Sequence, residues 1–192
     1  GSGDMQHIQA GKKFRYLRLI ELMTAKSDNT AANILIKTVG MDEMNRRFKT
    51  MGLTQTRLEC NILDEITEDA KKQGLMNYTS ARDNAVLLRA IYEQSCVSED
   101  ASQQMMAFLA RQKVRNRIPR WLTPGVKVAN KTGTLKGVFH DVGIVTTNSG
   151  AFLVCVLTQG EFTYKTAKDF ISHISRLAFD YYLGFSVTEE GH

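Results

Sequence analysis

The sequence predicts an α+β chain, and three observations predict it. Apolar residues recur at helical spacing through the first two-thirds, strand-like runs follow Gly125, and helical spacing returns from Phe162. At 192 residues, with 43% hydrophobic and 23% charged, the chain has the size and balance of one ordinary folded domain. It reads as a single domain over 1–192: a mainly helical lobe over 11–125, then a sheet and closing helix over 126–183.

The elements follow in order. Phe14, Leu17, Ile20 and Leu22-Met23 mark a helix ending near Ala25. Ser27-Asp28-Asn29-Thr30 interrupts it with residues that favour turns and N-caps. A second helix, about Ala31 to Val39, stops at Gly40, and a third, Met41 to Met51, stops at Gly52. From Leu53 to Tyr78 the pattern weakens to surface loop, with a short extended piece at Gln55 to Glu59 and a short helix at Asp64 to Gln73. Ser80 with Asp83 three residues on is a partial capping signal before Ala85 to Ile91. Ser98 to Arg111 is a further helix, and Ile118 to Gly125 a turn-rich connection. Val126 to Thr132, Val138 to Thr147 and Ala151 to Gln159 are strands, with Asn148-Ser149-Gly150 as the hairpin between the last two. The final helix, Phe162 to Leu183, is expected to pack on the sheet and carries Phe170, Ile174, Leu177 and Tyr181 on one face.

Composition narrows the function classes. The 25 basic residues exceed the 20 acidic ones by 5 without gathering into a run, so nucleic acid is not an expected partner. No apolar run reaches the roughly 18 residues of a membrane span. Cys60, Cys96 and Cys155 form no C-x-x-C pair, and His7, His140, His173 and His192 show no ligand spacing. No metal site and no cofactor is expected, and without a G-x-x-x-x-G-K-[ST] loop neither is a nucleotide.

Two tripeptides carry the chemistry: Ser27-Asp28-Asn29 and Lys131-Thr132-Gly133. Each alone turns up by chance in roughly one chain of this size in thirty. Together, in this order and on these elements, they are specific. A hydroxyl and a carboxamide on an inter-helix turn offer a proton relay and a hydrogen-bonding amide. A Lys on a strand, followed by Thr and Gly, sets a cation and a hydroxyl beside open backbone that clamps a carboxylate and stabilises an oxyanion. The two motifs are expected to face each other across a cleft between lobe and sheet.

On these residues the chain resembles the serine β-lactamase and penicillin-binding protein superfamily, most closely its class A β-lactamase-like branch, whose motif set is S-x-x-K, S-D-N and K-T-G. The likeness extends to Leu22 through Leu35, to Gly52 through Leu58, to Asn130 through Thr134 and to His140 through Val145, and spans about Gly11 to Leu183. It implies a β-lactamase/transpeptidase-like fold with its N-terminal part missing. It also implies the residue roles. Ser27 belongs to the proton-transfer network. Asn29 hydrogen-bonds the substrate's amide side chain and helps hold a catalytic Lys. Lys131 attracts the substrate, Thr132 contacts its carboxylate beside Gly133, and the N–H of Thr134 forms half of the oxyanion hole.

Two departures from the family pattern matter. No S-x-x-K occurs in the sequence, so the chain alone is expected to lack the nucleophile and to be inactive. The family's deacylating Glu falls, by alignment, near Ile62, and Glu59, Asp64 and Glu65 do not fit its spacing. The resemblance therefore implies a bacterial hydrolase of β-lactams or D-alanyl peptides acting through an acyl-serine, closer to a penicillin-binding or peptidase member than to an efficient β-lactamase. The alternative is a β-lactamase-like binding or regulatory module without catalysis. By the same likeness the expected partners are a β-lactam or peptide-like small molecule and a complementing N-terminal segment or swapped copy. The expected compartment is periplasmic or secreted. The strand Ala151 to Gln159 is expected to leave an apolar sheet edge open to such a segment.

Overall fold

The computed structural model describes residues 3–8, 11–62, 74–161 and 163–184. The helix expected at Asp64 to Gln73 lies outside the described residues. The chain divides into two compact units, Gly1–Leu87 and Leu88–His192, with the division inside one helix.

In the first unit a 3₁₀ turn, Met5–His7, precedes α1 (Tyr16–Lys26), α2 (Asn29–Val39) and α3 (Met41–Thr50). Helix α1 ends because Ser27 turns left-handed, and α2 begins one residue on because Asp28 caps it through the Ala31 N–H. Leu19 and Leu22 of α1 bury against Ala31 of α2 and Met5 of the 3₁₀ turn. Each large side chain so buried contributes about 1.5–3 kcal/mol. After Gly52 the chain passes through an extended piece whose Arg57 pairs with Tyr78, as the residues Gln55 to Glu59 lead one to expect. It then enters α4 (Ala81–Tyr92). Buried Asp83 in the first turn of α4 accepts from the Gln55 N–H and the Thr56 hydroxyl, both at 2.8 Å, fixing the start of that piece.

The second unit holds α5 (Glu99–Ala110), β1 (Lys127–Leu135), β2 (Val138–Thr147), β3 (Gly150–Gln159) and α6 (Tyr164–Tyr182). The strands form an antiparallel sheet in the order β1-β2-β3. One sheet face presents Val128, Val145, Val154 and Val156 to Ile171 and Phe179 of α6 and to Ile118 of the preceding loop. The α+β class and the strand boundaries agree with the sequence reading within a residue or two, except that β1 runs on to Leu135.

The face that α6 turns to the sheet is not the one marked by Phe170, Ile174, Leu177 and Tyr181. Ala167, Ile171, Ser172, Ser175 and Phe179 are buried, while Phe170, Leu177 and Tyr181 are 51%, 47% and 86% exposed. Close approach explains it. The Ser172 hydroxyl donates to the Arg117 carbonyl and the Ser175 hydroxyl to the Ile118 carbonyl, at 3.0 and 2.9 Å. Small polar side chains there satisfy loop carbonyls that a large apolar residue would strand. A periodicity scored on hydrophobicity alone passes over such a face.

Candidate active site

The first group of site residues sits on the turn between α1 and α2. Ser27 has φ 54° and ψ 41°, a left-handed conformation uncommon in a residue with a β-carbon. Held strain of this kind, about 1–3 kcal/mol, gathers at functional positions. The turn is held by Asp28, 1% exposed, whose carboxylate accepts from the N–H groups of Ala31 and Met5, both at 2.9 Å. Gly3 packs so closely there, at φ 107°, that a β-carbon would lie 2.2 Å from that carboxylate. Asp28 is thus the structural member of its motif. Asn29, the first residue of α2, is buried, and its side-chain Nδ2 has no hydrogen-bond partner among the described residues. A buried donor without an acceptor costs about 1–3 kcal/mol, which a ligand acceptor would recover.

One helical turn beyond Asn29, Asn33 grips the backbone of Ile62 from both sides. Its Oδ1 accepts from the Ile62 N–H at 2.7 Å and its Nδ2 donates to the Ile62 carbonyl at 3.0 Å. Asn45 does the same for Leu58, and Asn77 binds Glu59 and Cys60. Three carboxamides therefore fix residues 58–62, and the apolar side chain of Ile62 stands at the gripped position. Sequence reasoning gave Asn33 no role. The signal was its place four residues after Asn29, on the same face of α2.

The second group lies on β1. Pairing sets Lys131 opposite Val142, Thr132 opposite Asp141, Gly133 opposite His140 and Thr134 opposite Phe139. Behind them Asn130, fully buried, donates from Nδ2 to Asp141 Oδ1 at 2.9 Å, and Ile118 N–H donates to Asp141 Oδ2 at 3.0 Å. Burial pushes the Asp141 carboxyl up to about 6, against the pull of Asn130, Ile118, Arg117 and Lys131. Burial likewise brings the Lys131 ammonium down to about 8, with Asp141 opposing the shift and Arg117 adding to it. Its Nζ donates to the Thr132 carbonyl at 2.7 Å. His140 is half-buried, which lowers its pKa, and its Nδ1 accepts from the Thr158 N–H at 3.1 Å.

Sequence reasoning also passed over Arg117, which is 1% exposed. Its guanidinium donates to the Gly133 carbonyl at 2.8 Å, to the His140 carbonyl and to Thr134 Oγ1. It forms no ion pair among the described residues, only neutral acceptors. A lone Arg in a turn-rich loop has no sequence signature; only the fold brings it under the end of β1. Lys131 and Arg117 give this end of the strand two cationic side chains against one carboxyl, Asp141. That balance suits an anionic ligand group.

Comparison with known proteins bears on both groups. A model of the β-lactamase enzyme family matches residues 1–182. The β-lactamase ROB-1 of Haemophilus influenzae is 26% identical over 156 residues, 80% of this chain and 50% of that protein. The chain thus spans about half the length of the curated relatives it matches. Among solved structures, a β-lactamase from Sphaerobacter thermophilus is 30% identical, with a TM-score of 0.83 over 94% of this chain and 68% of that one. PBP-A is 25% identical, with a TM-score of 0.86 over 96% and 67%, and a point mutant of it has been solved as an acyl-enzyme complex with penicillin G.

Proposed function

The chain belongs to the β-lactamase enzyme family, and from that membership we propose that it supplies the proton-relay and substrate-clamping parts of a penicillin-binding-type serine acyl-transfer site. The substrates are β-lactams or D-alanyl peptides, taken through an acyl-serine intermediate. Ser27 relays the proton, Asn29 binds the substrate amide, and Lys131 and Thr132 take the carboxylate. Gly133 leaves room for the substrate, and the Thr134 N–H stabilises the oxyanion. The observation that carries this reading is the buried carboxamide donor of Asn29, without a partner among the described residues, beside the strained Ser27. A helix cap alone needs neither.

No S-x-x-K is present in the sequence, so the nucleophile comes from a complementing segment, in the same polypeptide or a second one. The edge of β3 away from β2 supports that part of the proposal, since it is unpaired within the described sheet. Ile62, where a deacylating carboxylate would be needed, supports slow deacylation, hence penicillin binding over efficient β-lactam hydrolysis. No helix among the described residues is long and apolar enough to cross a membrane, and family likeness supports a periplasmic or secreted site of action.

A fluorescent penicillin tests the proposal on the 192-residue chain alone and on the chain joined to a family segment bearing S-x-x-K. Labelling of the joined protein only, lost in Lys131→Ala, is expected. Turnover of nitrocefin by the chain alone would overturn the assignment of the nucleophile elsewhere. A folded joined protein that binds penicillin reversibly and never becomes labelled would favour the non-catalytic module.

A further inference from the structure

We propose that His140 is a pH-sensitive positioning residue: its neutral ring ties β3 to β2 beside Gly133, and protonation of its Nδ1 undoes the tie. The inference rests on the reading of β1 as the substrate strand and adds a regulation of that strand by pH.

The geometry begins with strand pairing. His140 of β2 stands opposite Gly133 of β1 on one side and Leu157 of β3 on the other. Opposed residues share a sheet face, so the imidazole lies on the face of Lys131 and Gly133, away from the Val128, Val145 and Val154 face that α6 covers. A β-carbon at Gly133 would meet His140 Cβ and Cδ2, both at 3.6 Å, so the histidine flanks the open side of that glycine. Thr158, the residue after Leu157, is bound to β2 twice. Its N–H donates to His140 Nδ1 at 3.1 Å and its hydroxyl to the Phe139 carbonyl at 2.6 Å. The His140 carbonyl accepts from Arg117, so backbone and ring of this residue are each held by a different segment.

The tie works in one protonation state. A ring nitrogen of neutral imidazole has a single in-plane lone pair, and Nδ1 commits it to Thr158, which leaves the proton on Nε2. A proton bound at Nδ1 occupies that lone pair and sets a donor against a donor. The protonated ring then turns to the Phe139 carbonyl, and the Thr158 N–H loses its ring acceptor. Burial favours the neutral form, the Phe139 carbonyl opposes it, and the Arg117 guanidinium adds to it. Together they hold the ring below its ordinary value of 6.5, so the tie is intact at neutral pH. The other titratable groups on the neighbouring strands are few. Lys131 shares the face of β1, and Asp141, next in β2, faces the other side, where Asn130 and Ile118 bind it. From β3 comes the Cys155 thiol, which burial pushes up to about 11 and keeps neutral.

NMR of the ligand-free chain tests this directly. Ring nitrogen shifts follow the His140 titration, and amide exchange, taken relative to the free-peptide rate, follows the tie. As pH falls through the titration, protection of the Thr158 amide is expected to drop about tenfold, the worth of one hydrogen bond. The Gly133 amide resonance is expected to move with the same midpoint. His140→Asn places an oxygen acceptor where Nδ1 stands and does not titrate. It is expected to keep the Thr158 protection at every pH and to lose the histidine-linked part of the Gly133 shift. Asp141 is present in both proteins, so its own titration cancels in the comparison. Thr158 protection that ignores the charge of His140 would overturn the tie, and a Gly133 resonance that moves alike in both proteins would overturn the positioning. A merely structural histidine would alter the melting temperature without this pH step. Should His140→Asn not fold, the wild-type titration decides, because a Thr158 midpoint different from that of the ring refutes the coupling. In the protein joined to an S-x-x-K segment, labelling by the fluorescent penicillin is expected to fall between about pH 7 and pH 5 more steeply in wild type than in His140→Asn. Equal profiles would separate His140 from the substrate strand. If the joined protein is never labelled, the penicillin reading fails, and the NMR result still decides the role of His140.

Discussion

Asp141 makes the stability of the second unit depend on pH in a direction opposite to that of an ordinary surface carboxylate. Its side chain is fully buried, and burial pushes the carboxyl from 3.8 up to about 6. The folded state therefore binds a proton more tightly than the unfolded chain does. Between these two values the folded protein is protonated at Asp141 and the unfolded chain is not, so stability falls as pH rises from about 4 to about 6. Below that window both states are protonated and the full contribution is present; above it both are ionised and the contribution is gone. A gap of about two pKa units corresponds to about 3 kcal/mol at 1.36 kcal/mol per unit, a sizeable part of the 5–15 kcal/mol that holds a domain. Asp141→Asn removes the titration and keeps one oxygen acceptor for Asn130 or Ile118. Urea unfolding followed by the fluorescence of Trp121, the only tryptophan, gives stability against pH for both proteins. Subtracting the variant's curve from that of wild type cancels the other carboxylates. The difference is expected to decline by about 3 kcal/mol from pH 4 to 6.5 and then to stay level. Parallel curves over that range would show that Asp141 is ionised without cost, and the account of its burial would fail.

Three further substitutions have expected outcomes. Gly143→Ala sets a β-carbon 2.8 Å from Asn130 Cβ and 2.9 Å from the Ala129 carbonyl, so overpacking of about 1–3 kcal/mol is expected by urea unfolding, and a neutral result would mean β1 yields freely. Asn33→Leu leaves the Ile62 N–H and carbonyl without the partners they have in α2, costing about 1–3 kcal/mol, with amide exchange at Ile62 rising while that at Leu58, held by Asn45, does not. Ile62→Glu, in the chain joined to an S-x-x-K segment, is expected to shorten the lifetime of the penicillin adduct at least tenfold, as general-base activation of water would. An unchanged lifetime would separate residue 62 from deacylation.

Much of the fold was legible because its signals are local. Gly40 and Gly52 stop α2 and α3 near the expected positions, and the Asn148-Ser149 turn joins two β-rich runs of strand length. The motif residues were legible as types at a spacing. What stayed hidden is whatever depends on contacts between distant segments. Arg117 acquires its role from residues 16 to 23 positions further along the chain, and Asn33 from a loop 29 residues away. Neither separation leaves a periodic trace. The exposed stripe of α6 shows the converse: Phe170, Ile174, Leu177 and Tyr181 are a sound helical pattern, and the sheet took the serine-bearing side because its neighbours needed hydrogen bonds.

The two motif groups are built on the same physical plan. In each, a buried carboxylate is committed to structure: Asp28 to two backbone N–H groups, Asp141 to one N–H and the Asn130 amide. The first scaffold then supports a buried neighbour whose polar capacity the described residues leave incomplete, the Asn29 donor. A protein selected for stability alone would cap that donor, since unmet buried polarity costs about as much as a lost hydrogen bond. Its persistence beside an over-determined framework is the pattern expected of a binding position, where rigidity is supplied by one set of residues so that another can stay available to a ligand.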